Sequence, residues 1–169
     1  MKKIPLAVCL VISVLGAGCI YYSMRPNTPL EFDKIYVVPI KNDSFAPQAQ
    51  VLLTKQVRTR LANIAGLELA SSPENAAVLE ITIVDFGRSV ATTQEDDTSR
   101  AKSFNVKMAI VCALRNNITG KVYFKDYRIS DFVECHMSNN NFQAFQYQAI
   151  PKLTNKLANK VCDIICNLW

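Results

Sequence analysis

The chain has 169 residues, of which 50% are hydrophobic and 20% are charged, and its formal net charge at pH 7 is +5. This length and composition predict one domain with a real core, large enough to bury roughly two thirds of its unfolded surface. The positive charge favours anionic surfaces or ligands. It is too dilute for a nucleic-acid-binding protein, so no nucleic-acid partner is expected.

The first 18 residues have the pattern of an export signal. Lys2 and Lys3 precede an uncharged run from Ile4 to Gly18, which suits the apolar core of a signal peptide. A membrane-spanning helix needs roughly 18 to 20 apolar residues, so this run is marginal for staying in a bilayer. The run ends in small residues, and the next residue is Cys19, a thiol that can accept a lipid.

This ending is similar to the lipoprotein box of bacterial lipoproteins, although Gly16 stands where leucine is usual and Leu15 lies one place further back. We therefore predict a lipoprotein signal peptide at residues 1–18, a lipidated Cys19 with a tether at residues 19–32, and a folded domain at residues 33–169. Loss of the two leader lysines lowers the net charge of the mature chain to +3. The alternative is an ordinary signal peptide with an incidental cysteine.

The mature sequence predicts the element order β-α-β-β-β-α. The second helix repeats apolar residues at spacings of three and four, and the third strand alternates apolar and polar residues. Strands are expected at Lys34–Ile40, Val78–Arg88, Phe104–Arg115 and Lys121–Phe132, and helices from near Pro47 or Gln48 to Ile64 and at Ile150–Leu168. A further short strand is possible at Leu67. Pro39 places the first strand at an edge or ends it, and Pro151 kinks or restarts the last helix.

These elements predict a single α+β domain, with an about four-stranded sheet and two helices packed on one face. Each helix has one apolar stripe to bury, and one face of the third strand is apolar. We expect these two surfaces to form the core, from the strand residues Phe104, Val106, Met108, Ile110 and Leu114 and the helix residues Leu53, Val57, Leu61, Leu157 and Val161.

The longest stretch without periodicity runs from Ser89 to Lys102 and is predicted to be a loop. Loops longer than about 12 to 15 residues in compact domains are usually functional or disordered. The stretch contains the acidic run from Glu95 to Asp97, and three basic residues, Arg88, Arg100 and Lys102, flank it.

The sequence offers no recognisable catalytic or metal-binding set. The single histidine, His136, is adjacent to Cys135, and neighbours on an extended strand point to opposite faces, so a loop position without catalytic work is expected. Cys162 and Cys166 share a helix face but have no second pair of ligands nearby. We predict no enzyme activity, no cofactor and no metal. Cys112 is either a buried thiol or the partner of a helix cysteine in a disulfide.

Several segments, taken in order, resemble the LptE family of lipopolysaccharide-assembly lipoproteins. Tyr22 follows the lipidated cysteine closely, as is typical there, although this chain has Tyr21 where glycine is frequent. IYVVPIKND resembles the first strand of the family, and SSPENAAVLEITIVDF resembles the lead into a later strand, with Asn75-Ala76-Ala77 in place of the usual Ala-Asp. AIPKLTNKLANKVCDIICNLW is similar to the closing helix of some branches. The similarity covers nearly the whole mature chain.

The resemblance implies an outer-membrane lipoprotein, held to the membrane by its N-terminal lipid. Family members assist assembly of the LptD β-barrel, plug its lumen and contact lipopolysaccharide. By this reading Arg88, Arg100 and Lys102 contact lipopolysaccharide, and the domain lies on the periplasmic side or inside a barrel lumen. Further cations lie on the following hairpin, at Lys121, Lys125 and Arg128.

Two other classes of function stay open at this stage. One is an outer-membrane lipoprotein that regulates a periplasmic cell-wall synthase. The other is a carrier of lipid or small molecules, which would need a sizeable apolar cavity.

Overall fold

The computed structural model describes residues 31–93, 101–136 and 142–168. These ranges contain six strands and two helices. In chain order they are β1 (Lys34–Val37), β2 (Lys41–Asn42), α1 (Ala49–Ala62), β3 (Glu68–Leu69), β4 (Ala77–Thr93), β5 (Ala101–Asn116), β6 (Val122–His136) and α2 (Phe142–Cys166). The predicted signal peptide, Cys19 and nearly all of the tether lie outside the described residues.

The strands form one mixed sheet in the order β3-β1-β4-β5-β6, and β2 also pairs with β4. β1 runs parallel to β3 and β4, whereas β4, β5 and β6 are successively antiparallel. Both helices contribute buried residues to one core with the sheet. The predicted α+β class is confirmed. The four predicted strands are present as β1, β4, β5 and β6, and the sheet also contains two short strands, β2 and β3, of which β3 is the extra strand considered near Leu67.

Pro39 separates β1 from β2, which both pair with β4. The N–H of Val38 still donates to the carbonyl oxygen of Leu79, at 3.0 Å, but Pro39 has no N–H to donate. Pairing with β4 resumes beyond it, where Lys41 lies opposite Thr82. Two effects of Pro39 were predicted. The first is observed, because β1 ends before Pro39. The second is not, because β1 lies between β3 and β4 and is therefore not an edge strand.

The three long strands run further than their sequences indicate. β4 continues to Thr93 and β5 begins at Ala101, so the prediction of a loop from Ser89 to Lys102 is wrong at both ends. β6 likewise extends to His136, which is therefore a strand residue and not a loop residue. These extensions follow from pairing with the neighbouring strands, since the ladders continue from Ser89 with Asn105 to Thr93 with Ala101 and from Ser103 to His136.

The core lies between the helices and one face of the sheet. The predicted strand residues Val106, Met108, Ile110 and Leu114 are buried there, together with Leu53, Val57 and Leu61 of α1 and Leu157 and Val161 of α2. This confirms the predicted faces. Phe104 is the exception, because it is only partly buried and lies outside this cluster.

The last helix begins at Phe142 and continues through Pro151 without restarting there. Pro151 lies at an exposed position, where the loss of one backbone hydrogen bond leaves a carbonyl that water can reach. The Thr154 hydroxyl, which is buried, donates to the carbonyl oxygen of Ile150 at 3.0 Å.

Ion pairs attach α2 to β6. Lys156 and Lys160 approach the Asp131 carboxylate at 3.2 and 2.9 Å, and the side chain of Asp131 is only 14% exposed. Each lysine also donates to a backbone carbonyl of β6, Lys156 to Phe132 and Lys160 to Ser130, both at 2.9 Å. The helix therefore contacts the outer side of the last strand as well as the face of the sheet.

Candidate functional site

Two of the three predicted ligand-contacting residues, Arg88 and Lys102, belong to the far part of the β4–β5 hairpin, residues 86–93 and 101–108, which we call the arm. Arg88 lies opposite Val106. Thr92 lies opposite Ser103 and Thr93 lies opposite Ala101, so Lys102 is the extra residue of a β-bulge in β5. Arg100 lies outside the described residues. Along β5, Lys102 is four residues from the level of Arg88, or about 13 Å.

A second bulge decides which face of the sheet carries Arg88. The register shifts between Ile83 and Asp85, so Val84 is an extra residue and the alternation of β4 is reversed beyond it. Before the bulge Ile83 faces the helices, and after it Phe86 and Arg88 share that face. Arg88 is exposed there. A bulge of this kind leaves no mark in the apolar pattern, so the sequence could not assign the face.

Apolar side chains lie beside this arginine. The next pair along the same face is Val90 with Phe104, and Val90 is 55% exposed whereas Phe104 is partly buried. A guanidinium next to exposed apolar surface suits a ligand that carries both phosphates and acyl chains, because one group can hydrogen-bond a phosphate while the other excludes water.

The opposite face of the sheet, which we call the open face, carries cations that the sequence reasoning partly missed. Lys41, Thr82, Val111 and Arg128 form one row across four strands, so the two cations are about 14 Å apart. Lys107 lies on the same face, opposite Phe132. The sequence analysis singled out Arg128 alone, although the alternation of β5 already places Lys107 on its polar side.

These three open-face cations are exposed. Within the described residues, none of their side chains makes a hydrogen bond or an ion pair. Lys125, a further predicted cation, is exposed beside Asp126, whose backbone takes the unusual φ of 54° at an irregularity of β6. In β5 the middle of the open face holds small or medium side chains, Ala109, Val111 and Ala113, of which Ala109 is fully buried, and Asp85 of β4 lies opposite Ala109.

At the other end of the sheet, the start of the described chain is fastened to β6. Lys121 donates to both carboxylate oxygens of Glu31 at 2.7 Å, and the Tyr123 hydroxyl donates to the same carboxylate at 3.0 Å. The rings of Phe32 and Tyr123 meet edge to face at 5.4 Å. We call these four residues the clamp. The hydrogen bond from Lys121 lowers the pKa of Glu31, and the same bond raises the pKa of Lys121.

The clamp and the arm are far apart. Clamp residues border the β5–β6 turn, where Gly120 has a positive φ of 72°. From Arg115, at that turn, to Val106, at the level of Arg88, β5 runs nine residues, or about 30 Å. The described chain therefore begins at one end of the sheet, and Arg88 and Lys102 lie toward the other end.

The cysteines show no reactive arrangement in the part of the chain that the structure describes. Cys112 and Cys162 are buried, and burial raises the pKa of each to about 12, so both stay protonated thiols. Cys135 is partly buried and Cys166 is exposed, and all four are free. Of the two possibilities for Cys112, the buried thiol is the one observed.

Two searches of the described residues found nothing further. They contain no group of three or more His, Cys, Asp or Glu residues that could hold a metal ion. Within the same residues, no helix is both long enough and apolar enough to cross a membrane.

Solved structures of bacterial lipoproteins share this fold. The rare lipoprotein B from Shewanella oneidensis matches with a TM-score of 0.55 at 13% identity, over 76% of this chain and 94% of that chain. A minor lipoprotein from Acinetobacter baumannii matches with a TM-score of 0.54 at 12% identity, over 80% and 94%. At these identities the likeness shows the fold alone. No curated protein matches the sequence.

The fold is thus that of a small α+β bacterial lipoprotein. The sequence matches the family model described as "LptE: Lipopolysaccharide-assembly" over residues 32–163, which is most of the chain and nearly all of the described domain. The protein belongs to the LptE family, and the resemblance stated from the sequence is confirmed. This is a family of lipoproteins that take part in assembly and not a family of enzymes.

Proposed function

We propose that this protein is an outer-membrane lipoprotein, anchored through lipid on Cys19, that assists assembly of an LptD β-barrel and plugs its lumen. In that position it contacts lipopolysaccharide during insertion into the outer membrane, through Arg88, Arg100 and Lys102. The observation that carries the proposal is membership of the LptE family over residues 32–163.

The separation of the clamp from the arm supports the proposed orientation. A lipid on Cys19 would hold the start of the domain near the membrane, because only eleven residues lie between Cys19 and Glu31. The clamp fixes Glu31 at one end of the sheet, so the arm extends about 30 Å away from that point. A domain held in this way can reach into a barrel while its anchor stays at the rim.

The chemistry of the arm fits lipopolysaccharide, which carries phosphates beside acyl chains. Arg88 can donate two parallel hydrogen bonds to a phosphate, and Lys102 adds a point charge on the same hairpin. Val90 and Phe104 provide apolar surface on the face of Arg88. The acidic residues Glu95, Asp96 and Asp97 lie in the same hairpin sequence and reduce its net attraction for anions.

The test of the assembly role is co-purification from native outer membranes. The full-length protein, tagged at its C-terminus, should bring down the LptD barrel of the same organism, identified by mass spectrometry. Recovery of a cell-wall synthase in place of the barrel would favour the alternative of a synthase regulator. Recovery of neither protein, with the domain folded and membrane-bound, would contradict both.

The anchor needs a separate experiment. Wild-type protein grown with labelled palmitate should carry the label, because a cysteine at the end of a lipoprotein signal accepts acyl chains. Cys19→Ser should remove the label and leave an unprocessed precursor. Several acyl chains on one residue anchor stably, whereas one anchors only marginally. Absence of label from the wild-type protein would show that residues 1–18 are an ordinary signal peptide.

A further inference from the structure

A groove of about 400 Å³ lies along α1, and we call it the α1 groove. Its lining residues recur at spacings of three and four, so they share one side of the helix: Leu52, Lys55, Gln56, Thr59, Arg60 and Asn63. None of them belongs to the arm, the open face or the clamp. Ligand pockets in proteins usually have volumes of about 300 to 1,000 Å³, so the groove is large enough for a small ligand.

Two side-chain atoms of the lining residues are buried without a hydrogen-bond partner. They are Oε1 of Gln56 and Nε of Arg60, which lie one helical turn apart. Among the described residues only one other side-chain atom is in this state, Oδ1 of Asn105 in the arm. Buried polar atoms are nearly always paired in folded proteins, so two together in one groove require an explanation. Both side chains are partly exposed, so a ligand in the groove can reach these atoms after small side-chain rotations.

The α1 groove is positive. Its charged residues are Lys55 and Arg60, and none of the described residues that line it is acidic. The guanidinium of Arg60 is also held in position, because Nη2 donates to Oδ1 of Asn155 in α2 at 2.7 Å. The remaining N–H groups of Arg60 can therefore donate to an anion with little further loss of side-chain freedom.

The unpaired donor and the unpaired acceptor together specify the ligand. Nε–H of Arg60 requires an acceptor, whereas Oε1 of Gln56 requires a donor. Phosphate and sulfate dianions offer acceptors only, and they would bring a charged oxygen toward the oxygen of Gln56. A carboxylate with an N–H or O–H group on the neighbouring carbon supplies both. This chemistry is found at the C-terminus of a peptide and in hydroxy acids.

The length of the groove favours a peptide over a hydroxy acid. Leu52 and Asn63, the first and last lining residues, are eleven positions apart on the helix, or about 16 Å. An extended peptide spans about 3.3 Å per residue, so four or five residues would cover this length. A hydroxy acid would occupy only a small part of it. Leu52 is partly buried against the core and offers apolar surface to a side chain of such a peptide.

We propose that the α1 groove binds the free C-terminus of an extended peptide. The carboxylate accepts a hydrogen bond from Nε–H of Arg60, and the N–H of the last peptide residue donates to Oε1 of Gln56. Capture of a C-terminal carboxylate is a recurring mode of peptide recognition. The proposal is independent of the assembly role, because it uses neither the arm nor the clamp.

The direct test is a titration of the purified full-length protein in detergent, followed by NMR. The probe is an acetylated tripeptide of two alanines and a C-terminal leucine. With a free carboxylate it should shift the Nε–H signal of Arg60 and the side-chain amide signals of Gln56. The amidated form should bind at least roughly tenfold more weakly, because a charged hydrogen bond is lost. Equal affinities, or no binding of the free form up to about 10 mM, would overturn the proposal.

A double-mutant cycle tests the part of Gln56. Methylation of the last peptide nitrogen removes the donor and should weaken binding to the wild type roughly fivefold. The same methylation should not affect binding to Gln56→Leu, which lacks the acceptor. Gln50→Leu, at an exposed position of α1 outside the groove, is the matched control and should behave as the wild type. Equal effects of methylation on Gln56→Leu and the wild type would show that Gln56 does not bind the peptide N–H.

Three competing ligands separate the proposal from its alternatives. Displacement of the tripeptide by an equal concentration of lactate would assign the groove to hydroxy acids, and displacement by inorganic phosphate would show a general anion site. Either result would overturn the proposal. Lipopolysaccharide should leave the Nε–H signal of Arg60 unchanged, and Gln56→Leu should bind it as the wild type does. A shift of that signal would make the groove part of the lipopolysaccharide site, so failure of the groove is distinguishable from failure of the arm.

Discussion

The clamped end of the sheet and the middle of its open face use their charged residues differently. Near the clamp, cations have acidic partners: Lys121 with Glu31 at 2.7 Å, Lys34 with Glu68 at 3.9 Å and Arg115 with Glu80 at 3.8 Å. Further along the open face, Lys41, Lys107 and Arg128 have no partner within the described residues. The number of cations is similar, but only the unpaired ones leave a net attraction for anions.

This difference shows that pairing decides what a surface charge can do. Exposed ion pairs contribute little to the free energy of unfolding, typically 0 to about 1 kcal/mol. The ion pairs at the clamped end therefore fix the positions of the paired side chains more than they stabilise the fold. Within each pair, the positive and negative charges also cancel at a distance. An anionic ligand meets an attractive surface only where acidic partners are missing. The following predictions test this comparison, from the largest expected effect to the smallest.

The first prediction concerns the core that supports both ends. Ile110→Ala should lower the free energy of unfolding by roughly 2 to 5 kcal/mol, because Ile110 is fully buried in mid-strand and its truncation leaves a cavity. Val111→Ala, the adjacent residue on the open face, is the control and should cost clearly less. Urea denaturation of both variants gives the comparison. Equal losses would mean that the open face is covered as tightly as the helix face.

The second prediction concerns anion binding by the arm. Arg100→Glu with Lys102→Glu should weaken binding of purified lipopolysaccharide at least roughly tenfold, since two attractive charges become repulsive. Lys55→Glu with Arg58→Glu, on the exposed side of α1, is a control with the same charge change. Titration calorimetry at fixed salt gives both affinities. If both double variants lose affinity equally, net charge explains the binding and the arm has no special part.

The open face offers a sharper version of this test. Lys107→Glu with Arg128→Glu reverses two cations without a partner in the described residues, on the face opposite Arg88. A loss comparable to that of the arm variant would show that the ligand contacts both faces. Unchanged affinity would confine binding to the arm.

The third prediction concerns pH. Burial acts to raise the pKa of Asp131, but hydrogen bonds from Lys160, the Phe132 N–H and Lys156 outweigh burial and leave the pKa below its usual value. The carboxylate therefore stabilises the fold above its unfolded pKa of about 4, and this contribution is lost as the pH falls through the lower folded value. Asp131→Asn should cost about 1 to 2 kcal/mol at pH 7 and much less at pH 2.5. Thermal unfolding at the two pH values measures this; a cost independent of pH would contradict it.

The fourth prediction concerns the clamp. Glu31→Gln should leave the melting temperature nearly unchanged, because both partners of the pair are exposed, yet it should free the start of the domain. Amide hydrogen exchange at Phe32 and Asp33 should become faster, whereas exchange in the arm should not change. Glu68→Gln, which breaks a weaker exposed pair, is the control. Unchanged exchange at Phe32 would show that the aromatic contact with Tyr123 is sufficient.

The sequence predicted the parts of this fold that depend on local pattern. Alternation in β5 gave the correct face for Val106, Met108, Ile110 and Leu114, and helical spacing gave the correct stripes in α1 and α2. The order of the long elements followed from the same periodicities. These signals are strong because each reflects burial of one face, which the sequence records directly.

Other features depend on partners that are distant in sequence. The length of β4 beyond Ser89 comes from pairing with β5, and no apolar pattern marks it. The bulge at Val84, which turns Arg88 to the helix face, is a property of the register between two strands. The contact of Glu31 with Lys121 joins residues 90 positions apart. The sequence alone could name the cations, but not which of them have acidic neighbours.

The attachment of α2 to β6 has a consequence for how this protein behaves among other extended chains. β6 is a 15-residue strand at the edge of the sheet, and such an edge normally offers its free N–H and C=O groups to any passing strand. Here the carbonyl oxygens of Ser130 and Phe132 accept from lysines, and the Phe132 N–H donates to the Asp131 carboxylate at 2.7 Å. A foreign strand would have to displace these contacts before it could pair. Over this part of its length the edge is thereby hindered from pairing with another copy of the chain or, under the proposed assembly role, with an unpaired strand of the barrel.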